Sequence, residues 1–548
     1  MSNDNSIAQH NKAMVKNASI LMAATIISRI IGLLYRRPLG EVLGSVGLGY
    51  YGYASNLYSI LLLVSSYSIP MAVSKIISER LAKGMYKNSH KIFKGALIYA
   101  VIAGGIAALI ALFGGGILLP QNQANAIPAL RALAPTILLS AILGVMRGYF
   151  QAHHTMTPTS MSQIAEQIVN AIVSILAAWI LISTLAPDGG EGVAIWGAVG
   201  GTLGTGAGVV TGLIFMIIVY MVNRNSIMGR VHKDSHAQTD SYKSIFAMLL
   251  VMMTPMILTT FINNASNYID SYIYAAVQGF NGYDADLISA NYGEFSNYYI
   301  PMINIPLALC SASSAAMMPE VSGAYALGKY KNAGSHVAET IKLTMFICIP
   351  AMVGLAVLAE PIMNVLFPAA SDLSAKLLMF GSVYVLFTAL ATVTGCALQA
   401  IGKQKLVMVS AAIALGINIV FQIVILFAVP SLDIYTVMIS NILFSAVYCV
   451  VNMIALIKAL GFKNELKNTY ILPLIASAIM GAAAFGIYRL LYGVIGSSLI
   501  PAAVAIIAAV VIYIILYVAL TGTGEEELKT FPMGTKLVKV LRKLKIYR

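Results

Sequence analysis

Fourteen stretches of this chain are apolar for about twenty residues or more, and each is bounded by a polar connection. They lie at approximately 17–37, 50–79, 91–119, 128–150, 160–186, 193–222, 244–276, 294–326, 335–359, 374–401, 404–429, 433–458, 469–492 and 497–521. A hydrocarbon core about 30 Å thick needs roughly 20 helical residues to cross it. The expected fold is therefore an all-α polytopic membrane protein with fourteen transmembrane helices. Composition agrees: charged residues are 10% of the chain, against roughly a quarter in soluble domains. Hydrophobic residues are 59%, more than a soluble interior can hide. A soluble enzyme, a disordered protein and a secreted disulfide scaffold are excluded. Cys310, Cys348, Cys396 and Cys449 fall inside apolar runs without metal-ligand spacing and read as small core residues.

The net charge of +13 does not indicate nucleic acid, because the basic residues sit in short connections between apolar runs. The first tail and the even-numbered connections carry 27 of the 34 Lys and Arg, and the opposite side carries five. By the positive-inside rule the richer side is cytoplasmic, with both termini inside. The first apolar run is too long for a cleavable signal peptide and is followed by thirteen more.

An internal repeat organises the runs. SERLAKGMYKN, residues 78–88, follows the second run, and SGAYALGKYKN, residues 322–332, follows the eighth; six of eleven positions match at a constant offset of 244. Two copies of a six-span bundle in the same orientation imply two six-helix lobes related by a pseudo-twofold axis along the membrane normal, with substrate held between them. The expected organisation is a cytoplasmic tail at 1–16, an N-lobe at 17–222, a linker at 223–243, a C-lobe at 244–458, a C-terminal helix pair at 469–521 and a basic cytoplasmic tail at 522–548. Within that tail, residues 536–548 alternate basic and apolar side chains, as an amphipathic segment on an anionic leaflet does.

No catalytic constellation is present. The phosphate-cradling GxxxxGK[ST] loop is missing, and the adjacent His153 and His154 do not share a helix face, so the expectation is a protein that is not an enzyme. Polar groups inside spans are the informative residues, because they are costly in lipid and mark cavities or partners. Arg29 lies about twelve residues into the first run, roughly 18 Å from its start at 1.5 Å per residue and past the midplane. Thr25, Arg29, Gly32 and Arg36 share one helix face. Arg29 and Arg36, with Arg37, are candidates to bind phosphate bidentately; the alternatives are pairing with an acid, or interfacial anchoring for Arg36 and Arg37. In the seventh run Thr260, Asn263, Asn267 and Asp270 recur on one face. They read either as a cavity wall with Asp270 as a counter-charge or coupling-ion ligand, or as interhelical hydrogen bonding. Lys75 and Glu79, spaced i, i+4, and Arg147 and Glu166 are candidates for the cytoplasmic cavity mouth.

Several motifs then resemble one family. RGYFQAHHTMTPTSMSQIAEQ (147–167) is similar to the RGYFQGxxxMxPTAxSQxxEQ signature of Gram-positive polysaccharide-biosynthesis flippases, the group that includes MurJ-type lipid II flippases and stage V sporulation protein B. IPMAVSKIISE (69–79) resembles its GxPxAxSKxxSE, and SRIIGLLYR (28–36) its SRxxGxxxR. PMINIPLALCSASSAAMMPEVS (301–322) and LQAIGK (398–403) resemble its second half. Ala152 and Ser160 depart from the signature at packing positions. The second arginine that Gram-negative members place six residues after the first is Tyr35 here, followed by Arg36. The resemblance implies the multidrug/oligosaccharidyl-lipid/polysaccharide exporter superfamily and a bacterial plasma-membrane protein. It further implies a C-terminal helix pair serving a lipid tail, and as substrate lipid II, the undecaprenyl-pyrophosphate-linked peptidoglycan precursor, flipped by alternating access. Membrane lipids and cell-wall synthesis proteins are the implied partners. No cofactor is expected, and the drive is a coupling cation or the membrane potential. Competing readings are a flippase for another undecaprenyl-linked glycan or a sporulation paralogue, a cation-coupled multidrug exporter, and a non-transporting scaffold.

Overall fold

The computed structural model describes residues 24–525 except 26, 154, 235–238, 463 and 464, together with 528, 538 and 542; the side chains of 255, 256, 259, 262 and 263 lie outside the description. Every regular element among the described residues is helical. The helices are α1 (Arg36–Leu62), α2 (Ile69–Ala82), α3 (Tyr86–Phe113), α4 (Ile127–Ala152), α5 (Thr157–Leu185), α6 (Glu191–Lys233), α7 (Tyr242–Phe280) and α8 (Ala285–Glu294). They continue as α9 (Ile300–Ala326), α10 (Tyr330–Val357), α11 (Ala359–Leu366), α12 (Asp372–Gly381), α13 (Val383–Ala400), α14 (Gln404–Ala428), α15 (Ile434–Leu460), α16 (Leu472–Ile495) and α17 (Leu499–Thr521).

Twelve helices among the described residues are long and apolar enough to cross a membrane. They correspond to the expected spans except the first and seventh. The first falls largely outside the described residues, and the seventh is α7, helical throughout. One expectation needs correcting. The polar connection expected between the first two runs, residues 38–49, is helical: α1 begins at Arg36 and breaks inside at Gly44, whose φ of 65° glycine adopts readily. The amphipathic stretch 536–548 lies outside the described residues apart from Val538 and Arg542.

Three π-helical turns, Leu63–Tyr67, Phe295–Tyr299 and Lys467–Ile471, each stand just before a proline: Pro70, Pro301 and Pro473. Proline has no amide hydrogen and crowds the preceding turn, so the ladder widens there.

The two connections matched in sequence close with the same turn, a left-handed glycine ending that also occurs at Gly282 and Gly402. After α2, Lys83 and Met85 have φ/ψ of −91°/4° and −84°/65°, around Gly84 at φ 72°. After α9, Leu327 and Lys329 have −84°/5° and −85°/63°, around Gly328 at φ 71°. The same two closing bonds form: Gly84 N–H to Leu81 O and Met85 N–H to Arg80 O, and Gly328 N–H to Tyr325 O and Lys329 N–H to Ala324 O.

By packing, the chain divides into two compact units, Met1–Gly293 and Glu294–Arg548. The helix α7 therefore belongs with the first unit, where Ile245, Leu249 and Met253 join a core with Ile77, Phe93 and Tyr149. The segment before it is fastened to the same unit. Asp240 accepts hydrogen bonds from Arg80 Nη2 at 3.1 Å and Asn88 Nδ2 at 2.8 Å, and Asp234 accepts from the Lys87 amide at 2.7 Å.

In the first unit α5 and α6 pack extensively against each other. The contact face of α6 carries Gly200, Gly204, Gly208 and Gly212. A Cβ on Gly200 would lie 2.2 Å from Ala178 Cα, and one on Gly204 would lie 2.0 Å from Ser174 Oγ. Small residues at this four-residue spacing let membrane helices approach backbone to backbone. Ser174 fills the notch, donating to Asn170 Oδ1 at 3.0 Å and to the Gly201 carbonyl at 2.9 Å.

In the second unit the C-terminal pair α16 and α17 packs on α10. Phe346 of α10 meets Tyr513 and Tyr517 of α17 at ring separations of 5.5 and 4.7 Å. Glu294 is buried and accepts from the Ser371 amide at 3.2 Å and from the Ser374 hydroxyl, capping the start of α12.

Candidate functional site

A polar constellation in the first unit joins α4 to α5. Arg147 Nη2 donates to Glu166 Oε2 at 2.7 Å, and Arg147 Nε donates to Ser162 Oγ at 2.9 Å. The side chains retain 14% and 20% of their exposure, so the pair is largely withdrawn from solvent. The residues around Arg147 explain its placement. Gly148 faces α2, where a Cβ would lie 2.7 Å from the Pro70 carbonyl oxygen, so the glycine admits the neighbouring helix. On the other side a Cβ at Gly212 would lie 3.4 Å from Arg147 Nη2 and 3.5 Å from Glu166 Oε2, so α6 closes over the ion pair. The three motifs at 69–79, 147–167 and the glycine face of α6 are thus one packed unit.

Tyrosine hydroxyls extend this polar interior. Tyr58 Oη lies 3.5 Å from Ser140 Oγ, and Tyr35 Oη lies 3.5 Å from Tyr51 Oη. At another part of the first unit, Tyr50 donates to Asp286 Oδ1 at 2.9 Å and receives Asn125 Nδ2 at 3.2 Å. Sequence reading missed these residues. Isolated tyrosines in apolar runs carry no spacing signal, and their partners come from distant helices.

The expected site residues separate into distinct environments. Arg29 is exposed, and among the described residues it has no ion-pair partner. Arg36 is half-buried. Arg37 is exposed and pairs with Glu41 one turn along at 3.4 Å. Asp270 is buried and accepts from Ser266 Oγ at 2.9 Å. Asn267 is exposed, and the side chain of Asn263 lies outside the described residues. The single polar face expected for this helix is therefore split between buried and exposed surroundings.

Lys75 and Glu79 are both exposed and form no ion pair with each other. Their spacing permits a pair, but it is the adjacent Arg80 that finds a carboxylate, Asp240. Of the expected cavity-mouth residues, only Arg147 and Glu166 are brought together. Outside the spans, burial would raise the Asp240 carboxyl, but hydrogen bonds from Asn88 and Arg80 and the charges of Arg80 and Lys91 outweigh it and hold the group below its ordinary range. Among the described residues no three His, Cys, Asp or Glu side chains form a metal-sized group.

Comparison with known proteins places this arrangement. Residues 14–324 match the family model for polysaccharide biosynthesis protein, and residues 297–424 match that for MatE. The chain is 27% identical over 484 residues to lipid II flippase MurJ of Bacillus subtilis (strain 168), covering 86% of this chain and 87% of that protein. It is 24% identical over 362 residues to stage V sporulation protein B of the same organism, covering 65% and 67%. Among solved structures it is similar to lipid II flippase MurJ in an inward closed conformation, with a TM-score of 0.62 and 16% identity, covering 91% of this chain and 98% of that one. With that family model spanning more than half of its length, this multi-pass membrane chain belongs to the polysaccharide biosynthesis protein family of transporters.

Proposed function

We propose that this protein is a lipid II flippase, moving the undecaprenyl-pyrophosphate-linked peptidoglycan precursor from the inner to the outer leaflet by alternating access. The observation that carries this reading is the 27% identity to the Bacillus subtilis lipid II flippase over most of both chains.

Arg29 supports it chemically. An arginine near the centre of a span costs about 2.5–3.5 kcal/mol on insertion scales unless water or an anion meets it. Arg147 and Arg80 already hold carboxylates, whereas Arg29 is exposed. Its planar fork suits a pyrophosphate oxygen pair. In this proposal Arg29 is the main ligand of the pyrophosphate and Arg36 assists. Asp270 balances charge when the site is empty, and a coupling cation or the membrane potential supplies the drive. Both termini face the cytoplasm, which places the basic connections with the unflipped substrate.

A bacterium depleted of its own lipid II flippase and carrying this chain tests the proposal. Outer-leaflet lipid II is measured by its accessibility to an external probe. Restoration by the wild type, partial restoration by Arg29→Lys and none by Arg29→Glu at equal membrane abundance is the expected result. A wild-type chain present in the membrane that restores no accessible lipid II overturns the substrate assignment. Because the stage V sporulation protein B match is also extensive, the second reading is a flippase for another undecaprenyl-linked glycan, and export of that glycan in the same cells would favour it.

A further inference from the structure

A second polar site lies just beyond Arg147, past the end of the same helix. Its cavity of about 250 Å³ is framed by the start of α3, the end of α4 and the last turns of α6. That volume is far more than one water requires, yet below the usual range for a drug-sized ligand, so it suits a small head group.

Its position relative to the bilayer follows from length. At 1.5 Å per residue the 43 residues of α6 extend about 64 Å, more than twice the hydrocarbon thickness. The cavity uses Asn223 to Val231, within the last eleven residues, where the sequence turns from apolar to NRNSIMGR. It therefore stands at the polar edge of the membrane, on the side that the charge pattern assigns to the cytoplasm.

The lining is one-sided in charge. Arg230 and His153 contribute to it, and no aspartate or glutamate does. Several lining donors are already used on backbone carbonyls. Ser89 Oγ donates to Met85 O, Thr155 Oγ1 to Phe150 O, and His153 Nδ1–H to Tyr149 O at 2.9 Å, which anchors the ring. Tyr86, Tyr149, Ser226 and Arg230 make no hydrogen bond to another described residue through their side chains. A guanidinium with three hydroxyls around a carboxylate-free cavity is a donor set seeking an anion. The fork of Arg230 matches the oxygens of a phosphate.

We infer that this cavity binds a phosphate group, presented either by a phospholipid head or by a soluble phosphate ester, at a site whose lining includes neither Arg29 nor Arg36. The inference does not depend on lipid II being the substrate.

The test uses the full chain. Binding of inorganic phosphate is measured by calorimetry in detergent, and retention of phosphatidylglycerol by native mass spectrometry after reconstitution in phosphatidylglycerol or phosphatidylcholine nanodiscs. Arg230→Gln should weaken the bound species about tenfold, the scale of one charge-assisted hydrogen bond. Tyr86→Phe should weaken it less. Lys233→Gln, on the same helix but outside the lining, should leave it unchanged. Arg230-dependent retention of phosphatidylglycerol without phosphate binding identifies a lipid head; Arg230-dependent phosphate binding identifies a soluble ester. Equal losses in Arg230→Gln and Lys233→Gln would reduce the effect to general surface charge and overturn the site, as would the absence of Arg230-dependent binding to either probe. Arg230 is exposed, so its replacement leaves the fold intact, and Tyr86→Phe provides an independent check.

Discussion

Arg147 and Glu166 meet at 2.7 Å across the hairpin of α4 and α5, beneath Gly212 of α6. A partner of this kind makes Arg147, a cavity-mouth candidate, a tie between two helices. Removing one member of a well-buried pair costs about 3–5 kcal/mol. With some solvent access remaining, about 1–3 kcal/mol is expected for Glu166→Ala, read as a lowered midpoint of thermal unfolding in detergent. Arg147→Met with Glu166→Leu should lose less than either single change, because it leaves no stranded charge. An additive double variant would show that the two groups do not interact.

The α5–α6 seam predicts a sharp contrast between glycines. Gly204→Ala places a Cβ 2.0 Å from Ser174 Oγ and 2.5 Å from the Ser174 nitrogen. Overpacking of this kind typically costs about 1–3 kcal/mol. Gly105→Ala on α3 meets nothing within 4 Å and should hold or slightly raise stability. Membrane abundance and unfolding midpoint of the two variants should diverge in that order.

Asp240 gives a pH dependence with a fixed sign. Its carboxyl is held below the ordinary value of 3.8 by Asn88, Arg80 and Lys91. A depressed folded-state value adds stability above the unfolded value, and that stability is lost as pH falls through the folded value. Wild type should therefore be more stable than Asp240→Asn at neutral pH, and the gap should close on acidification below about 4. Unfolding midpoints of both proteins across that range are the measurement; a gap that widens toward acid would reverse the assignment.

The sequence match between residues 78–88 and 322–332 predicts a matching location. Lys87 and Lys331 both have exposed side chains just beyond the turns at Gly84 and Gly328. Cysteines placed at the two positions should be labelled from the same side of the membrane, the cytoplasmic one. Labelling from opposite faces would be incompatible with two copies of one bundle in the same orientation.

Much of the fold was legible because lipid imposes a length on every span, and because turn geometry is encoded locally by residues such as Gly84 and Gly328. Pairing was not legible to the same degree. The spacing of Lys75 and Glu79 suggested a contact, yet the carboxylate that matters, Asp240, arrives from 160 residues away and selects Arg80. Arg147 and Glu166 were both named as cavity-mouth candidates, but only the hairpin between α4 and α5 brings them within hydrogen-bond reach. Arg37 and Glu41 carried an i, i+4 signal that the reading of an arginine stripe passed over. The polar face expected on α7 carries no spacing signal for burial: neighbouring helices bury Asp270 and leave Asn267 exposed.

The glycine face of α6 has a mechanical consequence. Where Ser174 sits in the notch at Gly204 and the Ala178 backbone rests on Gly200, the two helices are keyed together. Sliding by one residue would bring a side chain against the backbone that now rests on glycine, so the register of α5 and α6 is held. The helical ladder of the first unit is instead open at Gly44 and at the π turn of Leu63–Tyr67, where bending meets the least resistance.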